Sequence, residues 1–575
     1  MANKYDVNND LHHEKTNAAD AVVRMLIAKL AQELPQEENE NFVRKQIWVT
    51  LSDGVRLICD VHLPDGEGPW PVILQRCPYG PVALPENDLM GQILAKRGYV
   101  YVTNRCRGTG LSEGNISAFE QEVKDGQEVL DFIARQDFCN GNIGTYGASY
   151  MGHVQWSVAG SKNPALKTMY IQVFGAHPYE NFYRNGLLRQ EIWQSWVMGN
   201  GGNARDRSEE ESARLYEKAF EVKPPEKMGE VLLHDPLEWA VKILTSPEEK
   251  NDAWQKGFWK EYEEQAKRLD LPILLQCGWF DLFCKSEFDS WKALPEETRK
   301  KSLCLVGPWD HYGFTNHALP YPGEDRYGVM QIKTAIAWFD HFLKGKPLTL
   351  PTGGMEVYCV GEDTWKFYPD QLPEGKPVKF YLGDHVLKKE EQGQGEYSYI
   401  YDPADPVKSL SLGLNRGTLI GPAPGEQKNV FSFVSEPLTE DVALLGRMKL
   451  ELYLSSTAPA TAVTVWLYDV REDGSAYLVY DDGKDIRYEG DHFETYEPGT
   501  VKKVTLECQE TAWTFKKGDR IRIDISSSNF PWYNAHNNTE VPWGKATESA
   551  VAENTIYFGE DFPSTALFPV AESSE

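Results

Sequence analysis

Short apolar runs alternate with helical stretches through the first half of the chain, and period-two strands fill the second. The pattern opens with apolar-rich segments at 47–51 and 55–63 on either side of Asp53-Gly54, which predicts a β-hairpin. Apolar runs at 71–75, 99–102, 272–277 and 302–306 predict short buried strands. Helical spacing at 88–96 and 120–135 separates the early ones, so the expectation is an α/β class body with a mostly parallel sheet covered on both faces. From about 177 to 269 the strand runs stop, and charged, Trp-rich helical sequence such as 209–218 takes over. A helix at 330–343 meets a stop signal at Lys344-Gly345. Beyond a linker at 347–351, Leu450, Leu452 and Leu454 alternate with polar residues, as do Val463, Val465 and Leu467, and Ile521, Ile523 and Ile525. Such strands predict an all-β sandwich. The expected division is an N-terminal helical extension at 1–40, an α/β body at 41–176 and 270–350, a helical cap at 177–269, and a C-terminal β-sandwich at 351–575.

Bulk properties narrow the function classes. At 575 residues the chain exceeds what one core serves, and 41% hydrophobic with 12% aromatic content is ample for several. Lysine plus arginine number 59 against 86 acids, a net charge of -27. A surface this acidic repels phosphate backbones and anionic headgroups, so neither nucleic acid nor membrane is an expected partner. The nine cysteines are odd in number and without a C-x-x-C pair, which suits reduced thiols in a cytoplasm. Cys77 and Cys277 lie near the loops of interest and read as small apolar packing. The apolar patch at 22–28 is interrupted by Arg24 and followed by Lys29, so it reads as an amphipathic helix, not a secretory core; no run reaches membrane-spanning length. H-E-x-x-H is absent and His12-His13 sits in a polar start, so no metal and no cofactor are expected.

The chemistry concentrates in Asn142-Ile143-Gly144-Thr145-Tyr146-Gly147-Ala148-Ser149-Tyr150-Met151-Gly152. A serine hydroxyl is a weak nucleophile, and enzymes that use one hold it on a sharp strand-to-helix turn flanked by small residues. Gly147 stands two before Ser149, while the far glycine is displaced one place, to Gly152. In an α/β-hydrolase the acid and then the histidine follow, each after a strand. The run at 272–277 ends in Gly278-Trp279-Phe280-Asp281, and the run at 302–306 in Gly307-Pro308-Trp309-Asp310-His311. Ser149 is thus the candidate nucleophile, His311 the base and Asp281 its orienting acid, with His317 and Asp289 as rivals. Asp310 is expected to point away from its neighbour His311. The backbone N–H of Tyr150 is an expected oxyanion donor. Trp279, Phe280 and Trp309, with aromatics of the cap, suit an apolar or aromatic acyl group. Arg107-Gly108-Thr109-Gly110 lacks a G-K-[ST] ending and reads as a tight turn, not a phosphate loop.

These pieces resemble the cocaine-esterase and X-Pro dipeptidyl-peptidase family of serine hydrolases. Its R-x-P-Y-[GD], R-G-x-G-x-S-x-G, G-x-S-Y-x-G, G-W-[YF]-D and G-P-W-x-H stretches are matched in order. The matches are Arg76-Cys77-Pro78-Tyr79-Gly80, Arg107 to Gly114, Gly147 to Gly152, Gly278 to Asp281 and Gly307 to His311. The resemblance implies an α/β-hydrolase fold with an inserted helical cap, a C-terminal jelly roll with a late strand at 526–531, and the Tyr79 phenol as second oxyanion donor. It also implies a serine hydrolase that cleaves acyl esters, or amides, through an acyl-enzyme on Ser149, acting on a small-molecule ester or short peptide. An X-Pro dipeptidyl-peptidase or an α-amino-acid ester hydrolase or acylase is the alternative. The former needs carboxylates for a substrate ammonium, and the latter carries a glutamate where this chain has Met151. A catalytically silent carbohydrate-binding protein is the reading from another class, opposed by the intact Ser149, Asp281 and His311. A homo-oligomer stays open.

Overall fold

The computed structural model describes residues 34–80, 84–202, 207–315, 318–328, 331–410 and 419–572. The expected helix at 22–29, His12-His13 and the rival His317 lie outside them. Residues 34–40 carry no helix and lie along the first body, where Glu38 pairs with Lys344 and Lys346.

The hairpin expected around Asp53-Gly54 is β1 (Phe42–Thr50) and β2 (Arg56–Pro64), antiparallel in direct register. It opens a sheet completed by β3 (Trp70–Cys77), β4 (Val100–Arg105), β5 (Cys139–Ala148), β6 (Leu166–Gln172), β7 (Ile273–Gly278), β8 (Leu303–Gly307), β9 (Gly354–Cys359) and β10 (Thr364–Pro369). The order is β1-β2-β4-β3-β5-β6-β7-β8-β9-β10, parallel from β4 to β9. Every residue of β4, β7 and β8 is buried, as continuous apolar runs between two helical layers must be. One face is covered by the helix Ile332–Lys344 through Ile336, Phe339 and Leu343, with Met90 and Leu94 beside them. The other is covered by Glu122–Ala134, through Val129, Leu130 and Ile133, and by Tyr150–Trp156 and Cys284–Ala293. The Lys344-Gly345 stop works as read, with Gly345 at φ 70° accepting the left-handed cap.

Between β6 and β7 the chain turns helical, with helices at Gln190–Asn200, Glu209–Ala219, Glu238–Leu244 and Gly257–Ala266 and one small ladder joining Tyr183–Arg184 to Leu187–Leu188. The charged run folds because Ser208 caps it, its side chain accepting from the Glu211 amide at 3.1 Å.

The first sheet continues past the division expected at 350. β9 pairs parallel with β8, and β10 antiparallel with β9, so 354–369 extend the first sheet. Strand periodicity cannot say which sheet a strand joins, and β9 is buried along its whole length because it lies inside this one. From there Val360 bridges to Trp513 of the all-β jelly-roll domain, which begins with the strand Lys376–Leu382. In that domain Val442–Ser456 follows the expected alternation, with Leu450, Leu452 and Leu454 inward. Ala462–Val470 does not alternate in burial, because Trp466 and Tyr468 pack with Ala476 and Leu478 into a second apolar cluster on the outer face. The β domain also reaches the first body directly, Gln509 Nε2 donating to the Trp279 carbonyl at 3.2 Å.

Candidate active site

Ser149 lies between β5 and the helix Tyr150–Trp156 with φ 59° and ψ −126°, a conformation L-residues avoid at a cost of about 1–3 kcal/mol. The surroundings enforce it. Its N–H donates to the Gln172 carbonyl at the end of β6 (3.1 Å), and its own carbonyl accepts from the amides of Gly152 and His153 at 2.8 and 3.0 Å. The glycine spacing has a steric reason. A Cβ on Gly147 meets Met151 Cβ at 2.5 Å, and one on Gly152 meets the Gln172 carbonyl at 2.8 Å and Phe174 Cβ at 3.0 Å. The helix presses on the sheet at the third residue after the serine, so the far glycine falls there and Met151 is tolerated in between.

A buried polar lattice stiffens the turn from behind. Tyr150 Oη accepts the Phe119 amide at 2.7 Å and donates to Glu122 at 3.0 Å, and the other Glu122 oxygen pairs with Arg76 at 2.5 Å. Arg76 also donates to Asn104 Oδ1 at 3.0 Å. Arg76, the first residue of the Tyr79 loop, is thereby a brace for the elbow. The Arg107 loop is a pinned turn after β4, with Arg107 on Asp125 and Asp53 at 2.8 Å each.

Tyr79 faces this elbow. The Tyr150 amide donates to its hydroxyl at 3.4 Å. Burial pushes the Tyr79 phenol up to about 12, against hydrogen bonds with Ser149, the Tyr150 amide and Trp196 that favour the anion. At neutral pH the phenol therefore keeps its proton and can donate it. The two expected oxyanion donors thus lie 3.4 Å apart, the amide donating to the phenol oxygen.

The acid and histidine loops cross above β7 and β8. Trp279 N–H donates to the Gly307 carbonyl at 2.9 Å and Phe280 N–H to the Trp309 carbonyl at 3.1 Å. A Cβ on Gly278 meets the Trp309 carbonyl at 2.3 Å, and one on Gly307 meets the Trp309 ring at 2.4 Å, so both motif glycines are steric necessities of the crossing. Asp281 Oδ2 lies 2.5 Å from His311 Nδ1, and its Oδ1 accepts the Phe283 amide at 2.7 Å. The pair is 3% and 6% exposed. The bond fixes which imidazole nitrogen stays free, namely Nε2. The rival Asp289 sits on the next helix and is held well below the usual carboxylate range, despite burial, by Lys285 and Arg447. Asp310 turns away as expected, its Oδ1 accepting the amides of Tyr312 and Phe314 at 2.8 and 3.2 Å. Next to the serine, burial lowers His153 to about 3 and keeps it neutral. Cys277 is fully buried, which pushes its thiol well up.

Two expected pocket residues are tied into the loops around them. The Trp279 ring stacks on Phe288 and its N–H donates to the Tyr358 carbonyl at 2.7 Å; Trp309 packs in the core beside Trp365. Both rings are buried, and Trp279 also lines a small cavity beside Phe280 and Asp281. Phe280 is half-buried, 6.2 Å from Tyr321. The aromatic wall at the elbow comes from the cap. Trp196, half-buried, stacks on Tyr150 at 5.3 Å, and behind it Phe119 of the first body and Trp193, Trp239 and Trp259 of the cap form a buried aromatic cluster. The sequence signalled these only as Trp-rich helix. Tyr312, beside His311, is 54% exposed. Among the described residues, no group of three His, Cys, Asp or Glu side chains could hold a metal, and no helix is long and apolar enough to cross a membrane.

Two family models match the chain: X-Pro dipeptidyl-peptidase (S15 family) over residues 53–313, and X-Pro dipeptidyl-peptidase C-terminal non-catalytic domain over 352–566. The second begins before β9, so it takes in two strands that hydrogen-bond to the first sheet. Cocaine esterase of Rhodococcus sp. (strain MB1 Bresler) is 28% identical, the alignment covering 92% of this chain and 98% of that protein. An aminopeptidase from the marine sediment archaeon Thaumarchaeota archaeon shares the fold at TM-score 0.76 and 19% identity, over 99% of this chain and 100% of the other. An α-amino acid ester hydrolase does so at TM-score 0.75 and 20% identity, over 93% and 98%.

Proposed function

The chain belongs to the X-Pro dipeptidyl-peptidase and cocaine-esterase family of serine hydrolases, and on that premise we propose that it cleaves small acyl esters through an acyl-enzyme on Ser149. The observation that carries the reading is the meeting of the Tyr150 amide and the Tyr79 phenol beside a serine held at φ 59°. Ser149 Oγ attacks the acyl carbon while His311 Nε2 takes its proton. Asp281, bonded to Nδ1, steadies the imidazolium. The carbonyl π electrons move onto oxygen, which accepts from the Tyr150 N–H and the Tyr79 O–H. Collapse expels the alcohol, which leaves with the proton from His311. Water then repeats the sequence, releasing the acid and restoring Ser149. The cap wall at Trp196 suits a flat apolar acyl group.

Dipeptidyl-peptidase activity is the second reading, favoured by the description of the matching family model. It needs a carboxylate to hold the substrate ammonium, and Glu122, the acid behind the elbow, is committed to Arg76 and Tyr150. Nine free cysteines, eight of them buried, support a reducing, cytoplasmic setting.

The test is a panel of p-nitrophenyl esters and Xaa-Pro-p-nitroanilides, run on the natural protein and on Ser149→Ala. Ester turnover that falls by on the order of 10⁴ or more in the variant, with a fluorophosphonate adduct only on the natural serine, is the expected result. Anilide turnover without ester turnover moves the assignment to the peptidase. Unchanged rates in Ser149→Ala end both.

A further inference from the structure

β7 is apolar except for Gln276, and β6 ends in Gln172. Both side chains are buried. A buried primary amide must satisfy one carbonyl and one NH₂ group, so what surrounds it is informative. Gln172 Nε2 donates to Gln276 Oε1 at 3.0 Å, and Tyr170 Oη donates to the same oxygen. Gln276 Nε2 donates to Gln331 Oε1 at 2.8 Å, and Gln331 Nε2 donates to the Gly313 carbonyl at 3.4 Å. Gln331 is itself buried and stands at φ 52° ahead of the helix Ile332–Lys344.

The polarity of this row is fixed from its far end. A backbone carbonyl only accepts, so Gln331 must turn its N–H toward Gly313 and its own carbonyl toward Gln276. Gln276 must then present Nε2 to Gln331, which leaves its Oε1 for Tyr170 and Gln172. All three amides point the same way, and flipping any one sets like against like.

The ends of the row are attached to the two sides of the site. The Gln172 carbonyl accepts the Ser149 N–H at 3.1 Å, so one end is fastened to the nucleophile turn. At the other end, Gly313 belongs to the turn that carries His311. That turn is closed on itself. Asp310 N–H donates to the Phe314 carbonyl at 2.7 Å, Gly313 N–H donates to the Asp310 carbonyl at 3.1 Å, and Asp310 Oδ1 accepts the amides of Tyr312 and Phe314. It is also pressed onto Gln331, since a Cβ on Gly313 would meet Gln331 Oε1 at 2.8 Å. A turn closed in this way moves as one piece, so what holds Gly313 also holds His311. The acid loop fastens the near side of the turn through the Trp309 carbonyl, and Asp281 directs the ring; Gln331 fastens the far side.

Building on the acyl-enzyme reading, we propose that Gln276 and Gln331 are positioning residues for the reaction. The amide row ties the histidine turn to the sheet edge that holds Ser149, and so sets how squarely the imidazole meets the serine hydroxyl. Neither residue takes part in bond making.

The experiment uses Gln276→Met and Gln331→Met, singly and together, which remove the amides at nearly constant volume. Misplacing reacting groups by about 1 Å costs on the order of 10²-fold. Each single variant should lower ester kcat by about 10–100-fold with KM within about twofold of the natural protein, since the acyl pocket stays in place. A row cut at one point transmits nothing, so the double variant should stay within about threefold of the slower single one, whereas independent packing defects multiply. A second measurement needs no turnover: a crystal structure of Gln331→Met in which Cys139–Trp156 superposes on the natural protein while the turn at 310–314 is displaced. The proposal is overturned by kcat within about twofold in both single variants, by losses that multiply in the double variant, or by a histidine turn that superposes in the Gln331→Met crystal. If the natural protein turns over neither ester nor anilide, it is the function that fails, and the crystal comparison still decides the role of the row.

Discussion

The two sides of the candidate site are built by different means. On the serine side, geometry is local: a strand, a turn and a helix within Cys139–Trp156, with two glycines whose Cβ atoms have nowhere to go and one residue forced to positive φ. Arg76, Glu122 and Tyr150 hold it from behind. On the histidine side, nothing local fixes the imidazole. Two loops from neighbouring strands cross, and one carboxylate then sets the ring. The difference teaches where each side is fragile. The serine side is over-determined by backbone, so a change elsewhere leaves it standing. The histidine side hangs on Asp281.

That contrast is broken most directly by Asp281→Asn. The amide is nearly isosteric, so the loop crossing stays, but Nδ1 loses the acceptor that fixes its tautomer. We expect ester kcat to fall by about 10⁴ with little change in KM and an unchanged unfolding midpoint. A drop of less than tenfold assigns the orienting role to another group, Asp289 first.

Tyr79→Phe probes the other side and should cost less. The Tyr150 amide remains, so one of two donors to the oxyanion is lost. A reduction in kcat of about 10²–10³ is expected, again with KM steady, since the donor acts on charge that develops only in the transition state. A rate within threefold of the natural protein leaves the phenol a core hydroxyl.

The same contrast governs what was legible in the sequence. The serine turn is readable because its constraints lie within a few residues; even the displaced glycine, Gly152, is explained by one contact with Gln172. The acid and histidine are readable as residues after apolar runs, because a parallel sheet delivers loop residues to one edge. What Trp279 and Trp309 do is not readable, since whether an indole faces substrate or core depends on the crossing of loops far apart in sequence. The aromatic cluster around Trp196 is hidden for the same reason: Trp193 and Trp196, Trp239, and Trp259 come from three cap helices. The C-terminal family model begins at 352, close to the break read at 350, but a strand's periodicity carries no address, and only pairing shows that β9 hydrogen-bonds to β8.

Far from both sides, the β domain carries a buried carboxylate that lets stability be moved without touching chemistry. Asp469 is fully buried; its Oδ2 accepts from Trp513 Nε1 at 2.9 Å and lies 3.1 Å from Arg471, while Oδ1 has no partner. Burial raises it from 3.8 to about 7, with Arg471 and Trp513 opposing and Asp519, which shares Arg471, adding to the rise. In the unfolded chain the group loses its proton near 3.8, whereas in the folded protein it keeps it until about 7. Between those values the folded state binds more protons, so stability falls as pH rises through that window and the penalty is complete above it. The penalty is on the order of 2–4 kcal/mol at pH 8. Asp469→Asn removes the titration and keeps an acceptor for Trp513. Its unfolding midpoint relative to the natural protein should therefore climb by several degrees between pH 5 and pH 8, while kcat stays within twofold. A midpoint difference that is flat across that range means the carboxylate is ionised throughout in the folded protein. A parallel change in kcat means that the contacts joining the β domain to the first body, such as Gln509 on the acid loop and Arg447 on Asp289, carry the change to the site.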